Sequence, residues 1–64
     1  MTVNVKQIET LIAERGITKK DLASQSGISA QTLSTIIRRG TCEPKTAGKI
    51  ANGLCVNVSE IAAM

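Results

Sequence analysis

The chain contains no phenylalanine, tyrosine or tryptophan, and no histidine. Its interior must therefore be assembled from Ile, Leu, Val and Ala, which suit close-packed short helices better than an aromatic-rich β-sandwich. With no histidine, and with Cys42 and Cys55 outside any CxxC spacing, the about three or four ligands of a structural zinc cannot be gathered. Two cysteines also fall short of the about four to eight in the disulfide framework of a small secreted domain, so they are read as free thiols in a reducing compartment. Long apolar runs are missing too: nothing approaches the roughly 20 residues of a membrane span, and the opening MTVNVKQIET lacks the basic-then-apolar order of a secretory signal. A soluble, cytoplasmic protein is expected. There is no nucleophile paired with a base, no metal set and no phosphate-binding loop, so neither an enzyme nor a cofactor or small-molecule site is expected.

What is present is a short, moderately basic chain. Its 64 residues allow a single domain over 1–64, burying only about 60% of the surface that the unfolded chain exposes. The net charge of +3 comes from eight Lys and Arg against five acids, and its distribution says more than its size. Glu9 and Glu14 lie early, whereas Arg38, Arg39, Lys45 and Lys49 fall within a twelve-residue window holding one acid, Glu43.

Apolar spacing divides the chain into five short helices. Val5, Ile8, Leu11 and Ile12 share one helical face, with Gly16 placed to end a first helix over about residues 3–15. Thr18 and Asp21 form a capping-box pattern for a second helix over about 19–26, whose inward residues are Leu22 and Ala23. Gly27 suits a left-handed turn, Ile28 follows as an apolar plug, and Ser29 caps a third helix that turns Leu33, Ile36 and Ile37 inward and runs to about residue 38 before Gly40. Residues 40–44, GTCEP, read as a loop whose proline is tolerated in the first turn of a fourth helix carrying Ala47, Ile50, Ala51 and Leu54. Asn57 and Glu60 repeat the cap-plus-acid pattern and start a last helix with Val58, Ile61 and Ala62.

The stretch LASQSGISAQTLSTI carries the functional signal. Two short helices around a glycine-containing turn form a helix-turn-helix unit, which needs a small residue where they cross, a sharp turn and an apolar corner. Ala23, Gly27 and Ile28 meet those needs, and Leu22, Leu33 and Ile36 hold the third helix from behind. That helix starts with Ser29, Ala30, Gln31 and Thr32 and no carboxylate, leaving its positive end open to a phosphate. Lys19 and Lys20 open the second helix, where positive charge opposes the helix dipole and suggests an external anion. Gln31, whose amide both donates and accepts, is suited to pairing with adenine.

From the first helix through ITKKDLASQSGISAQTLSTI to the trailing IANGLCVNVSEI, the sequence resembles the phage-repressor and Cro type of helix-turn-helix regulators. The resemblance implies an all-α, five-helix, lambda-repressor-like domain that binds double-stranded operator DNA, commonly as a two-fold homodimer. The family's base-reading positions match Ala30, Gln31, Ser34 and Thr35. Lys19, Ser29, Thr32, Arg38, Arg39 and Lys45 would then contact phosphates and hold register, with a minor-groove contact as the alternative for Arg38 or Arg39. Three features depart from the family pattern: Ser26 at a usually aliphatic position, a loop after Gly40 of different length, and Cys55 where a helix-ending glycine is usual. The apolar tail of Val56, Val58, Ile61 and Met64 exceeds what one small core must bury and is the expected dimer contact, with closure of the chain's own core as the alternative. The reading is a transcriptional repressor; the alternatives are a helical protein-interaction module without DNA binding, and an antitoxin or recombination accessory factor on the same fold.

Overall fold

The computed structural model describes residues 1–63 and is all-helical, with helices α1 (Val5–Arg15), α2 (Lys19–Ser26), α3 (Ala30–Arg39), α4 (Pro44–Leu54) and α5 (Val58–Ile61). Every helix follows from a local signal. Asn4 caps α1 by accepting from the Gln7 N–H at 3.0 Å. Thr18 and Asp21 close the capping box on α2, the Thr18 N–H donating to Asp21 Oδ2 and the Asp21 N–H to Thr18 Oγ1, both at 3.1 Å. Pro44 opens α4, and Glu60 Oε2 accepts from the Asn57 N–H at the start of α5. No helix among the described residues is long and apolar enough to cross a membrane.

The apolar stripes meet in one core. Ile8, Leu22, Leu33, Ile50, Leu54 and Ile61, drawn from all five helices, are fully buried, each adding about 1.5–3 kcal/mol relative to exposure. Helix α4 packs on α2 and α5, α2 on α3, and α1 on α5. The contact of α2 with α4 is especially close. A Cβ built on Gly53 would overlap Ser26 Oγ and lie 3.2 Å from Leu22 Cδ1 and 3.3 Å from Ser26 Cβ. Ser26, the departure from an aliphatic residue, is 7% exposed there, and its hydroxyl has no hydrogen-bond partner among the described residues.

Two expectations change. Helix α1 begins at Val5 and not at residue 3, because Asn4 takes the cap and the residues before it are extended. Val3 is 3% exposed, its N–H donates to Gly40 O at 2.9 Å, and the Asn4 N–H donates to Ile61 O at 2.7 Å. Residues 1–4 thus join the α3–α4 loop to the end of α5, with isolated bridges Thr2–Thr41 and Val3–Ala62. The apolar tail also divides differently: Ile61 is fully buried in the chain's own core, while Val56 and Val58 are half-buried against it. The fourth residue of that expected contact, Met64, lies outside the described residues.

The third departure acquires a geometry. Cys55 ends α4 at φ 59°, the only residue other than glycine with positive φ among those described.

Candidate nucleic-acid interface

The corner between α2 and α3 is built from backbone hydrogen bonds that its sequence permits. Gly27, at φ 74°, turns the chain out of α2, its N–H donating to Ser24 O at 3.2 Å, and the Ile28 N–H reaches back to Ala23 O at 3.0 Å. Ala23 is buried at the crossing and Ile28 is half-buried against the core, so the helices are held from inside. Ser29 then caps α3, its Oγ accepting from the Thr32 N–H at 3.0 Å. The N–H groups of Ala30 and Gln31 precede the first intrahelical donor and point out of the helix end.

With Leu33 and Ile36 facing the core, the 3.6-residue period turns Gln31, Ser34, Thr35 and Arg38 to the opposite face. Ala30, Gln31 and Ser34 are exposed and Thr35 is half-buried. The expected base readers therefore lie along one accessible side of α3, Ala30 at its start and toward the edge. The Thr35 hydroxyl donates to Gln31 O at 3.0 Å, and the Ser29 hydroxyl donates to Thr32 Oγ1 at 2.7 Å.

The expected phosphate contacts are exposed and sit at helix ends: Lys19 in the first turn of α2, Ser29 and Thr32 at the start of α3, Arg38 and Arg39 in its last turn, and Lys45 in the first turn of α4. No acid lies on α3. Glu43, at the N-cap of α4, makes no side-chain capping bond.

Lys19 is engaged in an unexpected way. Its Nζ lies 3.5 Å from Glu9 Oε2 on α1, with both side chains 50% exposed. The anion suggested by a lysine in the first turn of α2 is thus supplied, in the free protein, from within the chain. Glu9 is the residue that sequence reasoning missed. Ten positions separate it from Lys19 across two helices, so only the opposite charges hinted at the pairing. Elsewhere, burial pushes the Cys42 thiol above its ordinary pKa and keeps it protonated near neutrality.

A small all-α domain with an exposed, acid-free helix set by a glycine corner is a helix-turn-helix unit in the structural sense. The sequence profile of the Cro/C1-type HTH DNA-binding domain matches residues 7–64, and the chain belongs to this family of DNA-binding regulators. Searches of curated proteins and of solved structures return no match.

Proposed function

We propose that the protein is a sequence-specific transcriptional regulator, acting as a repressor, which binds a two-fold operator as a homodimer with α3 in the major groove. The observation that carries this reading is the α3 surface: a run of exposed small and polar side chains without a carboxylate, followed by two arginines in the last turn. Such a helix can enter a groove lined with phosphates without repulsion, and its polar side chains reach base edges. Gln31 pairs with adenine, and Ala30, Ser34 and Thr35 complete the base-reading set. Lys19, Ser29, Thr32, Arg38, Arg39 and Lys45 hold the protein to the backbone. Dimerisation through the C-terminal segment rests on Val56 and Val58, since Ile61 belongs to the core. Two copies would then read half-sites about one helical turn apart.

Selection of bound sites from random DNA, followed by affinity measurements at several salt concentrations, tests this reading. An enriched palindrome is expected, and its absence would sink the dimeric operator. Gln31→Ala is expected to relax preference at one base position, by about 1–3 kcal/mol. Arg39→Ala should weaken all sequences alike and lower the salt slope by roughly one. An equal loss on every sequence for Gln31→Ala would remove it from the base-reading set.

A further inference from the structure

We propose that the outer side of α4 is a track for the sugar–phosphate backbone of the same DNA, formed by Lys45, Gly48, Lys49 and Asn52, with Gly48 left bare so that the strand can lie against the helix. This rests on the reading of α3 as the major-groove helix and of Lys45 as a backbone contact. The core side of α4 is the stripe Ala47, Ile50, Ala51 and Leu54, all buried. Lys45, Gly48, Lys49 and Asn52 repeat the same helical spacing on the opposite side, over about 10 Å of helix. The two lysines and Asn52 are exposed, and Gly48 is half-buried.

The acids of the chain are Glu9, Glu14, Asp21, Glu43 and Glu60, so α3 and α4 are the two helices without a carboxylate. Glu43, at the cap of α4, is in register with buried Ala47 and not with the outer stripe. Lys45 and Lys49 stand one turn apart, a like-charge spacing that opposes the helix, and neither is ion-paired among the described residues. Lys45, in the first turn, also faces the positive end of the helix dipole. Both placements favour an anion supplied from outside. Gly48 points the same way, because glycine in a helix interior is less favourable than alanine. The other interior glycine of α4, Gly53, is explained by Ser26 pressed against it, but a Cβ built on Gly48 meets nothing within 4 Å. No described residue requires the missing side chain, whereas a strand lying between Lys45 and Lys49 does. The two lysines start about 6 Å apart, against one phosphate per about 3.4 Å of axis on each strand, so they meet phosphates one or two steps apart. Asn52 adds an amide donor further along the same side.

The test sets fold stability against operator affinity. Gly48→Ala should raise Tm by about 4–8 °C, since alanine is the better helix former. The same variant should bind a selected operator about fivefold or more weakly, because a methyl group then stands where the strand approaches, and its salt slope should be unchanged. Lys49→Gln should lower the salt slope by roughly one and leave the preferred sequence as it was. Operators carrying one neutral methylphosphonate at a time in place of a phosphate then locate the contact. At one position of each half-site the replacement should weaken binding of the wild-type chain and leave Lys49→Gln unaffected. The proposal is overturned if Gly48→Ala binds as tightly as wild type or melts at a lower temperature, if Lys49→Gln keeps the full salt slope, or if no phosphate shows that coupling. A stripe that served an acidic protein in place of DNA would give those same failures. If the wild-type chain selects no sequence, the groove-binding reading falls and the track with it, a result visible before any variant is made.

Discussion

At the scale of single residues, Cys55 is the one position among those described where a side chain sits on left-handed backbone. Helices α1, α2 and α3 end in the left-handed region with Gly16, Gly27 and Gly40, whereas α4 ends there with a cysteine at φ 59°, ψ 40°. An L-residue in that region costs roughly 1–2 kcal/mol through contact of its Cβ with the carbonyl that follows. Glycine removes this contact but enlarges the unfolded ensemble, giving back about 0.4–1 kcal/mol. Cys55→Gly is therefore expected to raise stability by about 0.5–1 kcal/mol in urea unfolding, with the m-value unchanged. Lower stability in that variant would mean that the exposed sulfur makes a contact worth more than the backbone strain.

At the scale of elements, the packing of α2 on α4 depends on two small residues facing each other. Gly53 leaves room for Ser26, whose buried hydroxyl has no partner among the described residues, an arrangement that costs about 1–3 kcal/mol relative to a satisfied group. Gly53→Ala should force the helices apart and destabilise by about 1–3 kcal/mol. Combining it with Ser26→Ala should cost clearly less than Gly53→Ala alone, because the overlapping oxygen is gone; simple additivity in a double-mutant cycle would refute the contact. Neither half of this pair could be read ahead. Ser26 stood out as a polar residue in an aliphatic place, but Gly53 lies 27 positions further on and nothing local marks it. The five helices were legible because caps, glycine ends and apolar spacing act within one or two turns. The start of α1 was not, because Val3 continues an apolar pattern, while the partners that hold Val3 and the cap residue Asn4 outside the helix, Gly40 O and Ile61 O respectively, lie far along the chain.

The pairing of α1 with α2 through Glu9 and Lys19 is a second relation between elements. An ion pair half exposed on both sides contributes less than about 1 kcal/mol to stability, so Glu9→Gln should leave unfolding nearly unchanged. Its effect belongs to DNA binding. If Lys19 is one of the phosphate contacts, Glu9 competes with the phosphate for the same ammonium, and removing the carboxylate charge should raise affinity severalfold at low salt. The gain should fade as salt increases, since exposed charges are screened over about 8–10 Å at physiological ionic strength. Equal affinity of Glu9→Gln and wild type at low salt would take Lys19 out of the phosphate set.

At the scale of the molecule, the extended residues 1–4 tie together parts that the helices alone leave separate. Residue Val3 is buried, its N–H holds Gly40 O, Met1 O accepts from the Cys42 N–H at 2.9 Å, and Thr2 O accepts from the Ala63 N–H at 3.0 Å. The loop after Gly40 is thus fixed by the beginning of the chain. That loop leads from the arginines ending α3 to Lys45 in α4, so whether the tie also spaces these basic groups can be tested. Val3→Ala removes two buried methyl groups and should cost about 2 kcal/mol. In a domain of this size that lowers Tm by about 10 °C. At a temperature where the variant remains folded, its preferred sequence should be unchanged, as α3 is packed independently through Leu33 and Ile36. The salt slope separates two roles for the tie: an unchanged slope is expected if it only stabilises the fold, and a fall of about one would show that it also places Lys45 against the backbone.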